Sequence, residues 1–343
     1  MEFMKAGQYL GKEKIGLTKI PKPSIFENEA RIRVEYAGIC GTDMMIYKGK
    51  HPRATAPTIL GHEFSGTIDE IKSDSSYKVG DKVVVEPTIS CGVCPPCQQG
   101  QTHICQNLKL IGIDMDGGFA EYVRVPIRNL HRVPKDFPSS LASMAEPLAV
   151  AIHTVRRSTL KVGENVSILG AGPIGILIGM VAKMNGAKNV FISDISSYRL
   201  EKARQLGLQA INASNKNVVD EVFKRTNNEL IDVVFEVAGT QTTMDQMVEL
   251  IKSQGQIVVV SVFKNNPNIN LAAMHFNEIS LTTTRCYSRS DFLTALDMMI
   301  SKEMVRNSLS TIVSHELDIE ELAKGFSLMQ GSENSLKILI KSE

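Results

Sequence analysis

Two textures of hydrophobic and polar positions divide the chain. In the first third, residues 30–39 (ARIRVEYAGI) place apolar side chains at alternate positions, and residues 77–87 (YKVGDKVVVEP) end in an apolar run. Glycine and proline punctuate both stretches, a pattern that predicts short strands with irregular loops. From about Glu146 the pattern changes. EPLAVAIHTVRR has helical spacing, followed by a strand (NVSILG), a helix (PIGILIGMVAKMNG), a strand (NVFISD) and a helix (YRLEKARQLG). A strand (IDVVFEVAG), a helix (TMDQMVELIKSQG) and a strand (QIVVVSVF) continue the series to about Thr284. Apolar strands alternating with amphipathic helices predict an α/β, doubly wound parallel sheet. The remaining residues are mixed, with a helix in SRSDFLTALDMMISKE.

Composition narrows the partners. Thirty-eight Lys and Arg against 37 Asp and Glu leave a net charge of +1, which argues against a general grip on nucleic acid or an anionic membrane. The longest uncharged stretch, 166–182, holds four glycines and a proline and is shorter than the ~20 residues a membrane span needs. The start, MEFMKAGQYLGKEK, has no apolar secretory region, so a cytoplasmic location is expected. Six cysteines are too few for a disulfide scaffold, and four of them crowd into fifteen residues. That crowding points to metal.

Gly170, Gly172 and Gly175 form G-x-G-x-x-G in GAGPIG, after a strand and at the start of a helix. In that context the first glycine allows the turn, the second lets a pyrophosphate approach the backbone, and the third lets helix and strand pack. Asp194 ends the next strand, where a carboxylate accepts hydrogen bonds from ribose hydroxyls and repels a 2′-phosphate. NAD is therefore favoured over NADP. Arg199 nearby is the contrary signal, since an arginine meets a 2′-phosphate. A glycine turn serving another nucleotide is the alternative.

Cys91, Cys94, Cys97 and Cys105 put four thiolates in one loop, as a closed structural zinc site requires; an iron–sulfur cluster or free thiols are the other readings. A dispersed second set consists of Cys40 in GICGTD, His62 and Glu63 in GHE, and Glu146 in AEPLAV. One thiolate, one imidazole and carboxylates suit zinc with an open coordination position.

GICGTD, GHEFSG, VGDKVVVEP, the four-cysteine lobe, GGFAEYV, EPLAVAIH and GAGPIG occur in an order that resembles the zinc-dependent medium-chain alcohol dehydrogenases over essentially the whole chain. Glu146-Pro147, where other branches carry a cysteine, resembles the polyol (sorbitol-like) branch. The resemblance implies a GroES-like, mainly β catalytic domain at 1–150 and 286–343, with a structural zinc lobe at about 88–108. It also implies a Rossmann dinucleotide-binding domain at 151–285. It implies two zinc ions per chain: a catalytic one at Cys40, His62, Glu63 and Glu146, and a structural one on the cysteine lobe. Asp43 matches the carboxylate that orients the histidine ligand. Gly170, Gly172, Ile174, Gly175, Asp194 and Arg199 match cofactor contacts. Ser261, Val262, Phe263, Thr284 and Arg285 match later loops that reach the nicotinamide. Tyr47, Phe119 and Arg285 are the positions placed near substrate.

The implied activity is hydride transfer between NAD and the secondary alcohol of a polyol or sugar-derived substrate. Zinc acts as Lewis acid and Thr42 takes the hydroxyl proton. Hexonate, sugar-phosphate alditol, butanediol and threonine oxidation are alternatives on the same scaffold, and a non-catalytic zinc-binding module is the alternative of another class. A homo-oligomer, tetramer or dimer, is expected from the relatives. Met45 departs from the pattern, standing where many relatives have a proton-passing histidine; His51 lies nearby in sequence.

Overall fold

The period-two stretches of the first third become strands because alternate side chains find a core on one face only. Residues 30–39 give Glu29–Gly38, whose buried positions include Ala30, Ile32 and Val34. The computed structural model describes residues 2–263, 265–331 and 334–342, and divides into two compact units. The first comprises Met1–Glu146 and Ser288–Glu343, the second Pro147–Tyr287.

In the first unit the main sheet runs Leu130–Arg132, Lys82–Val85, Glu63–Lys72, Glu29–Gly38, Lys337–Lys341, Val313–Asp318. Tyr122–Pro126 also pairs with Glu29–Gly38. The two C-terminal strands lie parallel to each other, and Lys337–Lys341 runs antiparallel to Glu29–Gly38. The end of the chain is thereby brought beside residues met three hundred positions earlier (Ile340 opposite Ala37). A smaller sheet joins Lys14–Pro21, Phe3–Gly11 and Thr58–Ile59. The ribbon Thr88–Ile89 with Lys109–Leu110 closes the base of the cysteine-rich loop.

The second unit is a six-stranded, all-parallel sheet in the order Gln209–Asn212, Asn189–Asp194, Asn165–Leu169, Ile231–Glu236, Ile251–Val259, Ser280–Thr283. Strand Asn165–Leu169 is buried at every position, as a strand covered on both faces must be. The order reverses at this strand, so a crevice opens beyond the carboxyl ends of Asn165–Leu169 and Ile231–Glu236, where α/β sheets bind ligands.

One boundary differs from the helical reading of 243–255. The helix Gln241–Leu250 stops once Met244, Met247 and Leu250 are buried, and the chain turns extended at Ile251 (φ −79°, ψ 136°). Gln254 then takes a left-handed φ of 59°, and the strand's register shifts before its apolar run begins. Leu250 and Ile251 fit either period, so the apolar pattern did not separate helix from strand there.

Gly175 shows how tightly the first βα turn is built. A Cβ on it would lie 1.9 Å from the carbonyl oxygen of Gly170, a backbone atom without room to retreat. Gly175→Ala is expected to lower stability by ~1–3 kcal/mol through this overpacking. Urea unfolding followed by circular dichroism measures it, and an unchanged midpoint would show that the turn tolerates the methyl group.

Candidate active site

Cys40 lies two residues beyond strand Glu29–Gly38 and caps the start of the short helix Gly41–Tyr47. Asp43, fully buried in its first turn, accepts a hydrogen bond through Oδ2 from the Cys40 backbone N–H at 2.9 Å. Its other oxygen, Oδ1, faces His62 Nδ1 at 3.6 Å, an electrostatic contact longer than a hydrogen bond. His62 and Glu63 enter from the start of strand Glu63–Lys72. Ligand atoms of Cys40, His62 and Glu63 all lie within 4.8 Å of one another. The structure thus joins a thiol, an imidazole and a carboxylate separated by twenty-odd residues in sequence.

The electrostatics of this cluster call for positive charge. Burial alone would push the His62 pKa down, yet the charges of Asp43 and Cys40 raise it well above the ordinary histidine value. Lys337, which the sequence reading missed, supplies a second positive group. It is only 2% exposed, and its ammonium donates to Glu63 Oε2 and, at 3.1 Å, to the carbonyl of Ile39. Burial opposes the charged lysine, but Glu63 and then Cys40 raise its pKa, with Glu146 adding to them. Gly38 makes the ion pair possible: a Cβ there would lie 2.4 Å from Glu63 Oε2 and 2.8 Å from Lys337 Cε. A donor set of mixed softness, half-buried at Cys40 and buried at His62 and Glu63, is what a divalent zinc ion fits.

Glu146 falls outside that 4.8 Å set. It is buried in the first turn of helix Ala145–Arg156, where the helix N-terminus favours a carboxylate, and its charge reaches the cluster through Lys337. Thr42 is half-buried beside Asp43. Phe119 is fully buried; its ring backs Gly61 and meets Phe326 edge-on at 6.1 Å, which steadies the turn carrying His62. Tyr47 packs on the same Phe326 at 5.2 Å. Nδ1 of His51 accepts backbone N–H groups from Ala54 at 3.1 Å and Arg53 at 3.3 Å. Burial and the Arg53 charge lower its pKa. With its basic nitrogen engaged, His51 is a poor proton acceptor.

In the lobe, the sulfurs of Cys91, Cys94, Cys97 and Cys105 lie within 4.8 Å of one another. Cys94 Sγ is 3.4 Å from Cys97 Sγ and 3.8 Å from Cys105 Sγ. Four sulfurs at ~2.3 Å from a tetrahedral zinc stand ~3.8 Å apart, so the spacing fits the ion. Backbone N–H groups of Cys91 and Asn107 point at Cys105 Sγ, and those of Val93 and Cys94 lower the Cys91 thiol to about 6. Donors aimed at sulfur favour the thiolate at Cys91, whereas burial and the neighbouring Cys94 push the Cys97 thiol up to about 11.

In the second unit, Gly170, Gly172, Ile174 and Gly175 form the turn and first residues of helix Pro173–Met184. A Cβ on Gly172 would meet nothing within 4 Å, leaving the open approach that a phosphate at the helix N-terminus needs. Asp194 Oδ2 accepts from Ala171 N–H at 2.8 Å and its Oδ1 from Ser196 N–H at 2.9 Å, which fixes the carboxylate beside this turn. Arg199 lies in the first turn of helix Ser197–Gln205. Ser261, Val262 and Phe263 follow strand Ile251–Val259, with Val262 exposed and Phe263 partly packed on the core. Thr284 continues from Ser280–Thr283; its N–H donates to Val259 at 3.1 Å, while its buried Oγ1 has no partner. Arg285 is exposed. All of these except Arg199 stand at carboxyl ends of parallel strands, the edge where dinucleotides bind.

A GroES-like β unit with a thiol–imidazole–carboxylate cluster, and a parallel α/β unit with a glycine-rich phosphate turn, define a zinc- and dinucleotide-dependent oxidoreductase. Residues 27–135 match the alcohol dehydrogenase GroES-like domain and residues 173–301 the zinc-binding dehydrogenase domain. The chain is 37% identical, over 98% of both lengths, to a 2-dehydro-3-deoxy-L-galactonate 5-dehydrogenase of Pseudoalteromonas atlantica. It is 36% identical, over 94% of both, to an L-threonine 3-dehydrogenase of Bacillus velezensis. Among solved structures, 2R,3R-butanediol dehydrogenase from Bacillus subtilis superposes with a TM-score of 0.90 at 29% identity, covering 99% of this chain and 100% of that one. An alcohol dehydrogenase from Escherichia coli CFT073 complexed with NADH gives a TM-score of 0.91 at 28% identity, covering 100% of each. The chain belongs to the zinc-containing medium-chain alcohol dehydrogenase family and is an oxidoreductase of CH–OH donors using NAD(P). Among the described residues, no helix is long and apolar enough to cross a membrane.

Lys337 generates the prediction for this site. Lys337→Met leaves Glu63 buried without its ammonium, and removing one partner of a buried pair is expected to cost ~3–5 kcal/mol. Chemical denaturation of metal-free protein measures this, with Lys337→Arg expected to retain much of the stability. A methionine variant as stable as wild type would show that the pair contributes nothing.

Proposed function

We propose that the protein oxidises the secondary alcohol of a polyhydroxylated, sugar-derived substrate with NAD. The observation that carries the reading is the mixed cluster of Cys40, His62 and Glu63 on the first unit. The preference for NAD rests on Asp194, whose carboxylate is fixed beside the glycine turn by Ala171 and Ser196 and would repel a 2′-phosphate. The substrate class rests on the glutamate at 146 and on the relatives. The 2-dehydro-3-deoxy-L-galactonate and 2R,3R-butanediol enzymes are named for compounds whose reacting carbon carries a hydroxyl beside other oxygen substituents. Oxidation of an amino alcohol is the second reading, favoured by the 36% identity to L-threonine 3-dehydrogenase.

When bound, zinc supplies a Lewis acid that acidifies the substrate hydroxyl, and the nicotinamide accepts the hydride. Cys40, His62 and Glu63 would hold the metal, and Asp43, facing His62 Nδ1, would favour the tautomer that leaves Nε2 unprotonated. Lys337 ties up one oxygen of Glu63 and limits how that carboxylate swings. Thr42 Oγ1 would accept the hydroxyl proton while handing on its own. Met45 cannot carry it further and His51 is engaged with its own loop, so the proton leaves to water.

The test is a substrate panel of alditols, hexonates, vicinal diols and L-threonine, each with NAD and NADP, run on wild type, Cys40→Ser and Thr42→Val. Turnover with NAD on the polyhydroxylated alcohols is expected. Cys40→Ser should lose zinc and at least ~100-fold in rate, and Thr42→Val ~10²–10⁴-fold with zinc retained. Full activity of Cys40→Ser with one zinc missing would refute the metal assignment. Turnover confined to L-threonine would replace the polyol reading with the amino-alcohol one.

A further inference from the structure

Glu236 ends the strand Ile231–Glu236 as a carboxylate with no solvent exposure. It takes part in no metal cluster among the described residues and matches none of the family motifs quoted above. Its Oε1 accepts three hydrogen bonds: from the N–H of Ala238 at 3.0 Å, the N–H of Gly239 at 2.7 Å and the hydroxyl of Thr243 at 2.7 Å. Its Oε2 accepts the hydroxyl of Ser261. The backbone carbonyl of the same residue accepts from Val260 at 2.9 Å and Ser261 at 3.3 Å. One side chain therefore joins three pieces: the turn at 237–239, the start of helix Gln241–Leu250, and the loop after strand Ile251–Val259.

The turn at 237–239 is also built against the phosphate turn. Val237 N–H donates to Leu169 carbonyl at 2.9 Å, and a Cβ on Gly170 would lie 3.1 Å from Ala238 N. From the glycine turn outward, the order is thus 170, then 237–239, then Ser261. The adenosine half of a dinucleotide is read on the other side of the glycine turn, at Asp194 on the neighbouring strand. By the strand order, the half beyond the pyrophosphate lies over Ile231–Glu236 and Ile251–Val259.

We propose that Glu236 is a positioning residue for the nicotinamide half of the cofactor, welding the 237–239 turn and the 261–263 loop into one rigid wall. The proposal rests on the dinucleotide reading given above. In the loop after strand Ile251–Val259, Val262 is exposed and Phe263 is only partly packed on the core, so Ser261 needs a further tie to the sheet. The fourfold-satisfied carboxylate supplies it from beneath, without touching the ligand. A carboxylate suits the place because its oxygens accept, and all four groups aimed at it donate.

The test compares two ligands that differ in the nicotinamide alone: NADH, and ADP-ribose, which lacks it. Both are titrated calorimetrically into the zinc-loaded protein. Glu236→Ala is expected to weaken NADH at least ~10-fold, about 1.4 kcal/mol, with ADP-ribose affinity unchanged. Glu236→Gln keeps an oxygen for the three Oε1 donors and can donate its amide N–H to Ser261 Oγ, so it should restore most of the NADH affinity. Thr243→Val, which removes one of the three Oε1 donors at a residue not placed at the cofactor, should show a smaller selective loss and serves if the alanine variant at 236 fails to fold. Equal losses for both ligands, or no loss in any folded variant, would overturn the proposal while the dinucleotide reading stands. Wild-type protein that binds neither ligand would overturn both.

Discussion

The first unit gathers a half-buried Cys40 with the buried His62 and Glu63, their ligand atoms within 4.8 Å of one another, and sets the buried Asp43 against His62, where little water can solvate the acidic groups. Positive charge has to come from somewhere. Lys337 provides part of it as an enclosed ammonium, and the charges of Asp43 and Cys40 also draw the His62 pKa well above the ordinary histidine value. A divalent ion in the same place would meet the remaining demand and release His62 as a neutral ligand. The pairing of the C-terminal strand brings Lys337 to Glu63, the missing side chain at residue 38 leaves room for that ion pair, and Asp43 faces His62 at 3.6 Å.

The second unit solves a different problem, that of receiving a phosphate at a glycine turn. Backbone N–H groups at the start of helix Pro173–Met184 face open space, and Asp194 is the acidic side chain fixed beside them. Recognition there is a matter of where loops end on a parallel sheet. That is why a buried carboxylate such as Glu236, fully occupied with neutral donors, belongs to the framework rather than to the chemistry.

Much of this was legible in the chain. The alternation of apolar strands and amphipathic helices gave the parallel sheet, and GAGPIG in its strand–helix setting gave the phosphate turn. The spacing of Cys91, Cys94, Cys97 and Cys105 gave the lobe, because ligands that close on one ion within a loop must sit close in sequence. Lys337 was invisible for the opposite reason. It opens an apolar strand, KILIK, where a lysine reads as a solvated strand end, and its partner Glu63 lies 274 residues away. Only the antiparallel pairing of the last strand with Glu29–Gly38 brings the two together. Glu146 shows the converse: a motif names the residue, but its place at a helix start sets how far it stands from the cluster.

The central claim, that the acidic cluster of the first unit is completed by a zinc ion distinct from the one in the cysteine lobe, is tested most directly by zinc X-ray absorption. Wild-type protein and a variant lacking the lobe cysteines would be compared. Two environments are expected in wild type, one all sulfur and one with a single sulfur and nitrogen or oxygen neighbours, the latter alone surviving in the variant. A wild-type spectrum of sulfur neighbours only, with no zinc left in the variant, would contradict the account.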